Sequence, residues 1–177
     1  MRALVVYESM YGNTHIVADE IATGLLTAFE VTIVPVDDAT PSVVAEADLL
    51  VVGGPTHVHG LSSARSRQAA VEATAKDADL QLDAHAKGAG LREWLDALEV
   101  SDTKLAAAFD TRLRAVALLT GRASRGIERR LRRRGCRLVA PGESFLVDKH
   151  NRLLPGEADR ARRWGERIAQ TASTAAA

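Results

Sequence analysis

Residues 3–7, Ala-Leu-Val-Val-Tyr, are apolar without interruption, and the chain then turns through Glu8-Ser9-Met10-Tyr11-Gly12-Asn13-Thr14 directly into a helix-periodic stretch. A short apolar run with no polar alternation is a strand covered on both faces, which confines the chain to sheets with a layer on each side. The turn after it is built to hold an anion. Gly12 lets it close, Ser9 and Thr14 supply hydroxyls, and the N–H groups of the first helical turn stand free at the positive end of the helix dipole. No Lys or Arg lies in this loop, so neutral donors and the dipole do the binding, as suits a phosphomonoester. The loop lacks the spaced glycines of a dinucleotide fingerprint and the Gly-Lys-Ser/Thr ending of a triphosphate loop. Turns of this composition also occur with a purely structural role, so the rest of the chain has to decide.

The remaining pattern alternates strands with helices. Val17, Ile21 and Leu25 mark a helix over residues 14–26, with Ile16, Ala18 and Ala22 broadening its stripe. Residues 30–35 read as an edge strand, and residues 49–52 as a second fully buried strand stopped by Gly53-Gly54-Pro55. Residues 65–75 have helical character, residues 76–90 form a polar excursion, and Leu91, Trp94, Leu95 and Leu98 mark another amphipathic helix. Residues 104–109 are the next strand, and the apolar run at 114–119 is a candidate extension of the sheet before Thr120-Gly121. A basic helix over 126–134 ends at Gly135, residues 136–140 and 144–147 read as strand, and a last helix spans 157–171. The expectation is an α/β fold with a mostly parallel sheet covered on both faces. A single domain over 1–172 and a frayed tail at 173–177 complete it. The core should include Leu4, Val6, Val17, Ile21, Leu50, Val52, Ala107, Phe109 and Ile168.

Composition removes several function classes. The chain has 177 residues, 46% of them hydrophobic and only 4% aromatic, so a sizeable core must rest on aliphatic side chains. Its 23 basic and 23 acidic residues cancel, which argues against a dedicated nucleic-acid binder. Cys136 is the one cysteine, so no intrachain disulfide or cysteine-ligated cluster forms. Residues 3–7 are too short and wrongly flanked for a secretory signal, and no apolar stretch is long enough to span a bilayer. The expectation is a soluble cytoplasmic protein.

Ligands of such sheets sit beyond the carboxyl ends of the strands. Three segments fall there: the loop from Ser9 to Thr14, the loop from Gly53 to Leu61, and Asp110-Thr111-Arg112. The first takes a phosphate. The second allows close backbone approach to a flat ring or sugar, with Thr56 and His57 as donors. Ser9-Met10-Tyr11-Gly12-Asn13-Thr14 resembles the phosphate loop of flavodoxins. The likeness continues in Gly53-Gly54-Pro55-Thr56, in Ala108-Phe109-Asp110-Thr111-Arg112, and in Leu154-Pro155-Gly156-Glu157 with residues 160–165. It covers nearly the whole chain, in order.

The resemblance implies a flavodoxin-like, doubly wound five-stranded parallel sheet of order 2-1-3-4-5 with helices on both faces, and FMN as cofactor. By that likeness the cofactor-binding residues are Ser9, Met10, Tyr11, Gly12, Asn13 and Thr14 at the phosphate. Pro55, Thr56, His57, Val58, His59, Gly60, Leu61, Asp110, Thr111, Arg112 and Leu113 flank the ring, with backbone groups near Gly60 and Leu61 at the flavin's pyrimidine or N5 edge. Asp110 facing the ring would disfavour negative charge on the reduced flavin, and Arg112 would favour it. Flavodoxins commonly sandwich the ring between aromatics of these two loops, and this chain has none in either. His59, Leu61 and Leu113 are the candidates to cover the ring.

The functional expectation is an electron carrier with no catalytic residues of its own. Its partners would be redox proteins: a flavoprotein reductase on one side, and a haem or iron–sulfur acceptor on the other, with neither nucleic acid nor membrane insertion involved. Two alternatives are an FMN-dependent NAD(P)H:quinone-type reductase, and a flavodoxin-fold interaction module with weak or no cofactor binding. His57 and His59, two apart with His15 near the nest, lack the carboxylate or cysteine of a metal site. Cys136 reads as a small buried hydrophobe. The arginines between Arg122 and Arg137 read as a solvated helix face in a neutral chain, or else as a docking surface for an acidic redox partner.

Overall fold

The computed structural model of the chain describes residues 1–57, 60–77, 80–100, 104–115 and 121–176. Its centre is three strands, β1 (Arg2–Tyr7), β3 (Leu49–His57) and β5 (Leu105–Leu113), with β2 (Glu30–Pro35) at one edge and β6 (Arg137–Leu138) at the other. The order is β2-β1-β3-β5-β6, and every one of these pairs is parallel. A further strand, β7 (Glu143–Val147), continues the β6 position along β5, also in parallel. A two-residue strand, β4 (Gly60–Leu61), folds back antiparallel on the end of β3. The expected order 2-1-3-4-5 therefore holds, with the fifth place filled by a broken strand and β4 as an appendage.

The unbroken apolar runs are explained by the two layers. Ala3, Val5 and Tyr7 of β1, Leu49 and Val51 of β3, and Leu105, Ala107 and Phe109 of β5 face a core closed by α1 (Asn13–Leu25) and α6 (Glu157–Ala176). The alternate residues Leu4, Val6, Leu50, Val52, Ala106 and Ala108 face a second core. That one is closed by α2 (Pro41–Glu46), α4 (Leu91–Ala97) and α5 (Ala123–Arg133). The remaining helix, α3 (Ala64–Thr74), stands off the sheet. All nine core residues expected from the sequence are buried. Each aliphatic side chain so enclosed contributes about 1.5–3 kcal/mol relative to exposure.

Several boundaries differ from the sequence reading, among them that of β5, which runs on to Leu113 instead of ending at residue 109. β3 does not stop at Gly53 but runs on to His57, pairing Gly53 with Phe109, Gly54 with Asp110 and Pro55 with Thr111. Gly53 is there for close approach: a Cβ at that position would lie 2.1 Å from the Phe109 ring. Pro55 is tolerated because β1 has already ended, its last partner being Gly53. The strand expected at 136–140 shrinks to Arg137–Leu138, because Gly142 N–H turns away to the Glu128 carboxylate (2.8 Å). The last helix continues to Ala176, past the position where the tail was expected to fray, with Ala172 buried and Ala175 packed on the core. Of the run at 114–119, Arg114 N–H donates to Val147 O (2.9 Å), and residues 116–119 lie outside the described residues. Among the described residues no helix is long and apolar enough to cross a membrane.

Candidate functional site

At the carboxyl ends of β1, β3 and β5 lies a cleft of about 800 Å³. The loop between β1 and α1 forms one end. Glu8 N–H donates to Gly53 O (3.0 Å), Gly12 N–H donates to Ser9 Oγ (3.1 Å), and Ile16 N–H donates to Gly12 O (3.0 Å). Gly12 caps α1 at φ 83°, a left-handed conformation that costs other residues about 1–2 kcal/mol. Among the described residues no acceptor meets the N–H groups of Tyr11, Asn13, Thr14 or His15. They stand at the positive end of α1, so the loop is a nest without its anion's worth of bonds made inside the protein.

The side chains around the loop hold it in place. Thr14 Oγ1 meets Thr111 Oγ1 at 2.8 Å, linking the start of α1 to the end of β5. Asn13 Nδ2 donates to Asn151 O at 2.6 Å. Asn151 has φ 55° in a turn where the Asp148 carboxylate accepts the His150 and Arg152 N–H groups (2.8 and 2.9 Å). Residues 62–77 and 80–90 cover the outer side: Tyr11 Oη donates to Ala70 O (3.0 Å), Asp83 N–H donates to Met10 O (2.9 Å), and His15 Nδ1 lies 3.2 Å from Asp83. Buried Glu8 fastens both ends of that cover, accepting from Ser62 Oγ (2.8 Å) and from Leu91 N–H (2.7 Å). Burial pushes its carboxyl above the ordinary range, against these two bonds, which lower it.

The cleft gathers most of the sequence candidates. Met10, Tyr11, Asn13, Thr14, Pro55, Thr56, His57, Leu61, Thr111, Arg112 and Leu113 line it. Ser9 and Gly12 shape the loop from behind, and Gly60 sits opposite His57 in the β3–β4 hairpin. Val58 and His59 lie outside the described residues. Asp110 is a correction: it is fully buried and turned from the cleft, its carboxylate accepting Ser124 N–H (2.7 Å) at the start of α5. Burial raises its pKa, and the hydroxyls of Ser124 and Ser144 beside it make no well-formed bond. Alternation explains this, since Asp110 and Thr111 point to opposite faces of β5. His57 is held below the ordinary histidine value, by burial first and then by Arg67, so it is a neutral donor or acceptor.

The sequence reading missed the wall given by α3, where Ser66, Ala69, Ala70 and Ala73 line the cleft with Ser63 and Arg65 at the helix start. The Ser63–Ser66 capping box was a local signal for that start. Arg92, Val147 and Asn151 were also missed. Arg92 is held by the carbonyls of Leu61 and Ser62 (2.5 and 2.8 Å).

A phosphate-bearing flavin suits this donor set. Open amides and three arginines (Arg65, Arg92, Arg112) line the cleft, among the described residues no Asp or Glu does, and the far end is apolar through Pro55, Leu61, Leu113 and Val147. The described residues contain no cluster of His, Cys, Asp and Glu able to hold a metal ion.

The comparisons with known proteins agree with this architecture. The flavodoxin family model matches residues 5–159. No curated protein sequence matches. Among solved structures, a flavodoxin from the domain Archaea superposes with a TM-score of 0.67 at 20% identity, covering 98% of this chain and 99% of its own. Flavodoxin 1 from Bacillus cereus gives 0.64 at 18% identity, covering 96% and 98%. The flavodiiron core from Synechocystis gives 0.64 at 19% identity, with 99% of this chain aligned to 36% of that one. With the family match spanning most of the sequence and the same strand order in the sheet, the chain belongs to the flavodoxin family, whose cofactor is FMN.

Proposed function

We propose that this protein is an electron carrier that binds FMN in the cleft, with the phosphate on the loop from Ser9 to Thr14 and the ring between the Pro55–Leu61 and Thr111–Leu113 segments. The observation that carries this reading is the set of amides at Tyr11, Asn13, Thr14 and His15 that find no acceptor among the described residues, beside a cleft whose described lining holds no carboxylate. Bound FMN supplies the uptake and release of electrons. The protein's part is to orient it and set its surroundings. Thr14 and Thr111 share one hydrogen bond, which leaves one hydroxyl proton of the pair to donate to a phosphate oxygen. Thr56 Oγ1 accepts Ala123 N–H (2.9 Å) and keeps its own proton for a ring acceptor. Arg112 lines the ring end while Asp110 is turned away, so the charge nearest the ring is positive and favours an anionic reduced flavin.

The test is a visible spectrum of the protein as purified, then titration of the apoprotein with FMN and with riboflavin. Saturable binding that strongly prefers FMN is expected, and no binding to either would move the protein to the interaction-module reading. The holoprotein should then accept electrons from a flavoprotein reductase and pass them to a haem or iron–sulfur protein. Rapid oxidation of NADH or NADPH by the holoprotein alone, saturable in a quinone, would replace the carrier role with a reductase.

A further inference from the structure

The formal charge of zero conceals a segregation along the chain. Residues 1–103 carry six basic and sixteen acidic side chains, whereas residues 104–142 carry eleven basic and two acidic ones. Those two are Asp110, which is buried, and Glu128, whose carboxylate accepts Gly142 N–H. In the fold the first group includes β2 and α2 at one edge of the sheet, and the second includes α5 and β6 at the other.

The basic charge is displayed on one stripe. Arg125, Arg129, Arg132 and Arg133 are exposed on α5, spaced so that they share a helix face. Arg130 is neutralised by Asp96 at 2.8 Å, and Arg132 lies 3.9 Å from Glu128. Arg125, Arg129 and Arg133 have no acidic partner among the described residues. Such a stripe raises the energy of the free protein through mutual repulsion, which an opposite surface relieves.

We propose that the exposed face of α5 docks an acidic redox protein beside the cleft; this rests on the electron-carrier reading. The first turn of α5 packs directly behind the cleft wall. Ala123 N–H donates to Thr56 Oγ1 at 2.9 Å, and Gly126 packs against cleft-lining Leu61. A partner seated on Arg125 and Arg129 therefore lies next to the ring end. The stripe suits a protein better than other polyanions. α5 carries no aromatic for nucleobases to stack on. Its apolar side, Ile127 and Leu131, is fully buried against the sheet and leaves nothing to insert into a bilayer.

The test uses the full chain with and without FMN, and as probe a labelled acidic [2Fe–2S] ferredoxin of the plant type, followed by fluorescence anisotropy. Affinity is expected to fall about tenfold or more between about 0.03 M and about 0.3 M salt. The combined Arg125→Gln, Arg129→Gln and Arg133→Gln variant should show a similar loss at low salt while titrating FMN normally. Wild-type affinity in that variant would overturn the proposal. Tighter binding to phosphatidylserine vesicles or duplex DNA than to ferredoxin would also overturn it, as would low-salt dimerisation abolished by the same substitutions. Absence of FMN binding sinks the carrier reading alone, because the anisotropy measurement does not depend on flavin. If FMN binds and reduced ferredoxin transfers electrons equally fast to wild type and variant, the docking face falls and the carrier reading stands.

Discussion

The two ends of the cleft are made by different means. At the phosphate end the geometry is written in the backbone. Gly12 turns the chain, Ser9 closes the turn, Asn13 and Thr14 tie it to Asn151 and to Thr111 of β5, and residues 62–77 and 80–90 lie over it. At the ring end Pro55, Leu61, Leu113 and Val147 give an aliphatic surface beside Arg112, and Leu113 is 48% exposed. The large aromatics are used elsewhere. Phe109, Phe145 and Trp164 meet edge-on at 6.2–6.4 Å in the α1/α6 core, and Trp94 donates to Ala39 O. Among the described residues Tyr11 is the one aromatic lining the cleft, and its hydroxyl is engaged by Ala70. The contrast teaches that a family fold can keep its grip on one part of a ligand while relaxing its hold on another. Here affinity should be concentrated at the phosphate.

The widest test of that asymmetry is the ratio of FMN to riboflavin affinity. About 100-fold in favour of FMN is expected, roughly 3 kcal/mol, the scale of one or two hydrogen bonds to a charged group. Equal affinities would break the comparison outright. Next in size, Thr14→Ala should weaken FMN binding by about 1–3 kcal/mol in the same titration, since it removes a donor and the link to Thr111. An unchanged constant would take Thr14 out of the site. At the other end, Leu113→Trp should strengthen FMN binding by about 0.5–1.5 kcal/mol through ring stacking, and riboflavin by the same factor. A gain confined to FMN would show that the ring does not lie there.

The smallest effect concerns the footing of the phosphate loop. Burial raises the Glu8 carboxyl, so the folded state holds that proton more tightly than the unfolded chain. Its contribution is complete below about pH 4.3, the unfolded value, and is lost as pH rises through the folded value. Glu8→Gln should therefore flatten the fall in Tm between about pH 4 and pH 7 while leaving FMN affinity nearly unchanged. A Tm curve with the wild-type slope would show that Glu8 is ionised when folded.

Much of this was legible because period and position coincide. The apolar runs at 3–7 and 49–52 could only be strands buried on both faces, and Leu4, Val6, Leu50 and Val52 fall where that predicts. The nest was legible because Gly12 and the helix start adjoin a strand end. What was not legible depended on partners far along the chain. Gly53-Gly54-Pro55 has turn composition, yet the ring of Phe109 keeps it in the sheet. Asp110 carries charge beside a ligand loop, yet the start of α5 captures it. The alanines of α3 gave no periodic signal because they face a cleft rather than a core. Charge summed over the chain was uninformative for the same reason: the arginines of α5 and the acids near β2 cancel in the total and stand at opposite edges.

The cover formed by residues 62–77 and 80–90 also bears on time. It is fixed to the phosphate loop through Met10 O, Tyr11 Oη and the His15–Asp83 pair, each a bond that water can replace. Its hydrophobic anchorage at this loop is a small cluster, Ala70 and Ala86 against Met10 with Tyr11, Val71 and Leu82 packed around them. Such a segment opens by local fluctuation long before the sheet unfolds. If FMN sits as proposed, its phosphate lies beside the Tyr11–Ala70 contact, and the opening of this cover would then set how readily it exchanges. Two proteins with the same nest and the same equilibrium constant would then differ in exchange rate by the stability of a segment whose helix also walls the cleft.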